Sequence, residues 1–171
     1  MIPLSSSSAI SGGLTWKKIP FSRTYELRMN GEAVGTLRRA GWLSLSFLAE
    51  TQAGNWTFRG RLLGSGAQIL DSASQQPIAT LESAFAAGGT LTFADGQAFR
   101  VKCNGWWRPV WSILAANGEP VLHVHTREKT VEVPPGSAVP DSRLTLLILF
   151  TWYRVLQAED DGAMMAVIAA T

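Results

Sequence analysis

The fold of this chain turns on residues 143–157, RLTLLILFTWYRVLQ. Between Leu144 and Tyr153 only Thr145 and Thr151 are clearly polar, and Arg154 is the first charge after Arg143. Pro134-Pro135-Gly136 and Pro140 break whatever comes before, and Asp141 or Ser142 can cap a helix that begins here. Fifteen helical residues span roughly 22 Å at ~1.5 Å each, short of the roughly 30 Å of a bilayer core. A surface helix needs a polar stripe, and this stretch has none before Arg154. It reads as a helix buried on all sides, with no transmembrane span.

Such a helix needs a wall around it, and the preceding sequence supplies one. From Thr24 to Val133 apolar and polar residues alternate with period two, the mark of strands with one buried face. Leu43, Leu45 and Phe47 share a face; so do Trp56 and Phe58, Leu91 and Phe93, Phe99, Val101 and Cys103, and Val131 and Val133. Asn30-Gly31, Asp95-Gly96 and Asn117-Gly118 sit between such runs as hairpin turns. Eleven strands are predicted, near 24–29, 32–38, 42–49, 55–62, 67–72, 77–84, 90–94, 97–103, 106–114, 119–126 and 128–133. After Glu159-Asp160-Asp161-Gly162, in which Asp160 and Asp161 read as a polar stop, Ala163–Ala170 is either a second short helix or, the favoured reading, a twelfth strand.

A closed barrel of twelve strands, spaced ~4.8 Å apart and tilted ~40°, has a radius of roughly 12 Å. A helix ~10–12 Å across fits its axis. The expected fold is therefore all-β: a closed antiparallel barrel of about twelve strands around a central C-terminal hydrophobic helix near 143–157. Residues 1–22 read as a flexible Ser-rich leader and 23–171 as the single domain. The opening MIPLSSSS lacks the charged-then-apolar pattern of a secretory signal, so a cytoplasmic location is expected. Hydrophobic residues are 46% and charged residues 16%, which excludes a disordered chain. A net charge of +2 is too small for a dedicated nucleic-acid binder, and one cysteine excludes a disulfide framework or a cysteine-based zinc site.

The run of short strands from Tyr25 to Val133, the late apolar segment Leu144–Leu156 and the terminal GAMMAVIAA together resemble the tubby C-terminal-like superfamily, which includes the LURP-one-related and phospholipid scramblase families. The resemblance covers Thr24 to Ala170 and lies in architecture and hydropathy order. It implies a twelve-stranded barrel around a hydrophobic helix. It also implies membrane association or phosphoinositide head-group binding in some members, and scramblase activity in others. No head-group-binding residue, palmitoylated cysteine segment or calcium loop of the superfamily is matched in this chain.

The resemblance, taken with three basic pairs, implies a non-enzymatic binding or scaffold module without a cofactor, attached peripherally to anionic phospholipid with phosphoinositide-like head groups or to a protein partner. Its candidate lipid contacts are three basic i, i+2 pairs: Arg59 with Arg61, Arg100 with Lys102, and Arg127 with Lys129. Each pair shares a strand face, and together they form a patch if their strands lie close. The alternative is a small metal-dependent enzyme using His123 and His125, whose spacing puts both imidazoles on one face. A further alternative is a membrane-inserted, scramblase-like protein held by Leu144–Tyr153. Trp106, Trp107 and Trp111 read as core, Cys103 as an inert buried thiol, and the Gly60–Gly66 stretch as a turn without phosphate-loop character.

Overall fold

A computed structural model of the chain describes residues 13–41, 44–60, 66–83, 88–105, 109–137 and 139–169, the last nine by backbone alone. Twelve strands run in order: β1 (Leu14–Lys18), β2 (Thr24–Met29), β3 (Glu32–Arg39), β4 (Ser46–Thr51), β5 (Asn55–Gly60) and β6 (Gly66–Asp71). β7 (Pro77–Glu82), β8 (Gly88–Phe93), β9 (Ala98–Asn104), β10 (Val110–Ala115), β11 (Pro120–His125) and β12 (Thr130–Glu132) follow, and α1 (Asp141–Ala169) is the last described element. Each strand pairs antiparallel with its sequence neighbour, and β1 pairs with β12 to close the barrel through Leu14↔Val131 and Thr15↔Thr130.

The eleven strands read from the sequence are all present, and their closing partner is not the one expected. β1 lies inside the stretch assigned to the leader, and the favoured strand at 163–170 is instead the continuation of α1 to Ala169. Parity calls for a twelfth strand, and the residues at 14–18 supply it. Eleven up-and-down strands would bring β2 and β12 together parallel, whereas one strand placed between them keeps every pairing antiparallel. Leu14 and Trp16 give that strand its buried face, alternating with exposed Thr15 and Lys17.

The turns show why the barrel reverses where it does. Asn30 and Gly31 both have positive φ, at 53° and 87°, as a two-residue hairpin turn requires. The other two turns are built differently from the Asn-Gly one. Gly96 and Gly118 alone are left-handed, and three residues separate the bonded Phe93 and Gln97, and Ala115 and Glu119. The preceding Asp95 and Asn117 accept the backbone N–H groups of Gln97 and Glu119 at 3.0 and 3.1 Å, which tightens each turn.

α1 threads the lumen. Leu144 to Tyr153 is buried without a break, so the helix has barrel wall on every side. Pro140, not Asp141 or Ser142, takes the capping position: its carbonyl accepts the Leu144 N–H at 2.9 Å, and Asp141 sits in the first turn, where the helix dipole favours a negative charge. Thr145 and Thr151 return their hydroxyls to the carbonyls of Asp141 and Leu147 at 2.9 and 2.7 Å, so neither needs a partner across the lumen. Aromatic rings fill the space between helix and wall. Trp152 stacks on Trp16 at 5.0 Å, Phe150 meets Phe58 edge-on at 5.6 Å, and Tyr153 meets Phe47 at 5.4 Å. Gly60 of β5 lets the helix come near: a Cβ there would lie 2.6 Å from Gln157 Nε2 and 3.2 Å from the Tyr153 hydroxyl oxygen.

Phe150 is fully buried against Phe58 and Tyr153. Phe150→Ala opens a hole that a closed barrel cannot collapse to fill, and is expected to cost about 3–5 kcal/mol. Urea unfolding at equilibrium measures this; a loss below about 1 kcal/mol would place Phe150 in a loosely packed site.

Candidate functional site

The up-and-down order gives the barrel two chemically different rims. The chain enters α1 at the first, which carries the β2–β3, β4–β5, β6–β7, β8–β9 and β10–β11 turns; the helix leaves through the second. Among the described residues, the first rim carries Glu32, Glu50, Asp71, Asp95, Glu119 and Asp141 against Arg28 and Arg143. The second carries Lys17, Lys18, Arg23, Arg38, Arg39, Arg59, Lys102, Arg127 and Lys129 against Glu26, Glu82, Glu128, Glu159 and Asp160. A small net charge thus conceals a barrel with an acidic end and a basic end. Turn chemistry explains part of the acidic end. Asp71 accepts the Ser74 N–H and hydroxyl and, less strongly, the Ala73 N–H, and this holds its carboxyl below the usual range. Asp95 is likewise held down, first by the Gln97 N–H and then by Arg143. No turn requires the cluster of lysines and arginines at the opposite end.

The centre of the basic rim is the mouth through which α1 leaves. Strand register builds it from adjacent chain ends. Lys18 and Tyr25 are cross-strand partners, and the Arg39 N–H donates to the Arg23 carbonyl at 3.3 Å. A pocket of ≈ 370 Å³ opens there, lined by Lys18, Arg23, Tyr25, Arg39, Phe47, Leu156, Glu159 and Asp160. The Arg39 guanidinium lies over the Phe47 ring, 5.1 Å from its centre, and pairs with the Asp160 carboxylate. Partial desolvation pushes the Glu159 carboxyl above its ordinary range, against the opposing pull of Lys129 and Lys18. The Tyr25 phenol is raised by burial and by Glu159, with Arg39 acting the other way. Glu159 and Asp160 therefore line the helix exit, and the polar stop read at Asp160 and Asp161 is instead a continuous part of α1.

The basic pairs chosen from the sequence do not assemble as one patch. Arg59 reaches the basic rim from β5, and Arg127 and Lys129 reach it from the exposed turn between β11 and β12. Arg100 stands midway along the outer wall of β9 and Lys102 nearer the basic rim on the same strand, with β6, β7 and β8 between them and β5. Arg61 lies outside the described residues, as do Leu43, Gly64, Trp106 and Trp107. Lys17, Lys18, Arg23, Arg38 and Arg39 were missed because no single strand carries them all. The signal present in the sequence was their position, each within two residues of a strand end.

His123 and His125 both face outward, since Leu122 and Val124 between and beside them are fully buried. Each has its own neighbour. His123 Nδ1 shares a 2.8 Å hydrogen bond with Ser112 Oγ, and His125 Nε2 lies 3.4 Å from the Glu132 carboxylate. Among the described residues no group of three or more His, Cys, Asp or Glu is placed to hold a metal ion. Trp111 is core, and burial raises the pKa of the half-buried Cys103 thiol. A second pocket, of ≈ 720 Å³, lies at the acidic rim between the β8–β9 and β10–β11 turns and the Pro134–Ser137 segment.

No family model, curated protein or solved structure matches the chain.

The raised Glu159 carboxyl sets a sign for pH. Its ionised form is disfavoured in the folded chain, so its contribution to stability is complete at low pH and is lost as pH rises through its folded-state value. Glu159→Gln is expected to raise Tm by about 1–2 °C at neutral pH and to change nothing below about pH 3.5. Thermal melts at both pH values check this; a lower Tm at neutral pH would show that Lys18 and Lys129 outweigh desolvation.

Proposed function

We propose that this protein is a non-enzymatic binding module that attaches its basic rim to an anionic phospholipid surface. The observation that carries this reading is the separation of charge along the barrel axis. Each Lys or Arg brought near an anionic leaflet contributes about 1 kcal/mol. The surplus at the basic rim is enough for reversible attachment, and the acidic rim, repelled by the same surface, fixes the orientation. Two further features support a surface role. Helix side chains fill the lumen, so the places left for recognition are the rims and the outer wall. Among the described residues no helix is long and apolar enough to cross a membrane, which suits peripheral attachment.

Co-sedimentation with vesicles tests the proposal. The chain is expected to pellet with phosphatidylcholine vesicles containing phosphatidylserine at low salt, and to be released as salt screens the charges. It should stay in solution with phosphatidylcholine alone. Reversing exposed rim charges in Lys17→Glu/Arg38→Glu/Arg59→Glu should abolish pelleting with the circular dichroism spectrum unchanged. Failure to pellet with anionic vesicles at low salt would overturn the reading and favour a protein partner for the same rim.

A further inference from the structure

We propose that Lys18, Arg23 and Arg39 form a binding site for a single phosphate group, and that Asp160 occupies the position of that group in the ligand-free chain. The proposal rests on the basic-rim reading and adds to it a defined pocket and a competitor within the chain. Three adjacent chain ends place these cations around one pocket of ≈ 370 Å³, with Tyr25 and Phe47 as its aromatic walls and Leu156 as its apolar contact from the helix. The pocket is large for one side-chain carboxylate and fits a phosphomonoester with part of its alcohol. Phe47 stacks on Arg39 and holds the guanidinium in place, leaving its hydrogen-bonding edge to a carboxylate or a phosphate.

α1 fixes what fills this pocket. Residues 144–156 are gripped by the barrel, so the next turn must emerge at the mouth, and that turn contains Glu159 and Asp160. Asp160 reaches Arg39 across 121 positions of sequence. Glu159 faces Lys18, Lys129 and Tyr25 at the cost of partial desolvation. A carboxylate is the side-chain group closest to phosphate in charge and geometry. A phosphorylated ligand, which carries more charge and a third oxygen, competes for Arg39 and leaves Asp160 to solvent.

The test is isothermal titration of the full chain with inorganic phosphate, using wild type, Asp160→Asn and Glu82→Gln. Removing the competitor frees the binding-competent state, so Asp160→Asn is expected to tighten phosphate binding by about tenfold. Glu82→Gln makes the same change in net charge at the same rim, away from the pocket, and is expected to leave affinity within about twofold of wild type. Adding Arg39→Gln to Asp160→Asn should cancel the gain. A parallel arm compares vesicles containing phosphatidic acid with vesicles of equal charge containing phosphatidylserine. A gain for Asp160→Asn on phosphatidic acid and on free phosphate assigns the pocket to a lipid phosphomonoester, and a gain on free phosphate alone assigns it to a soluble one. Equal affinity of wild type and Asp160→Asn, or an equal gain in Glu82→Gln, would overturn the pocket. Wild type could still pellet with phosphatidylserine vesicles in that case, and the rim reading would stand without it.

Discussion

A cylinder of twelve strands is too wide for its own side chains to fill, and every other feature of this protein follows from how the gap is closed. The filler is the apolar stretch Leu144–Leu156. Because the filler is a helix, its backbone polar groups are satisfied internally, and its two threonines return their hydroxyls to the same helix. The wall needs only apolar surface on its inner face, which period-two alternation supplies. Helix and wall bury their apolar surfaces against each other. The helix exposed would be a patch of leucine and aromatic rings, and the barrel emptied would hold a dry void.

The same constraint places the chemistry. A rigid helix entering at one rim must leave at the other, and the residues just past the gripped segment arrive at the mouth whatever their identity. Here they are Glu159 and Asp160, set among Lys18, Arg39 and Lys129. At the entry rim, Arg143 pairs with Asp95 and lies over the Phe93 ring, 4.5 Å from its centre. Among the described residues an Arg–Asp pair ties the helix at each end. The arginine belongs to the helix at the acidic rim and to the barrel at the basic one. The ties oppose the local surplus of charge at each rim.

The strands and the core helix were legible because each is a local pattern. Leu91 and Phe93 against Thr90 and Thr92 states a strand within four residues, and LLILF without a polar stripe states a buried helix within five. β1 was not legible, since its two inward residues, Leu14 and Trp16, follow a Ser-rich run and make too short an alternation to stand out. The far half of α1 was obscured by Asp160 and Asp161, which look like a stop, although helix already secured in the lumen continues through them. The mouth was the least legible part. Lys18, Arg23, Arg39 and Asp160 are neighbours only through register and closure, and neither can be read from spacing along the chain.

Native-state hydrogen exchange tests the central claim most directly. If α1 plugs the barrel, amides from Leu147 to Tyr153 are released only when the whole barrel opens, with the same free energy and the same denaturant dependence as strand amides at Leu91 and Ile113. Exchange of these helix amides through a separate, easier opening, while the strands stay protected, would mean that the barrel stands without its helix and would contradict the account.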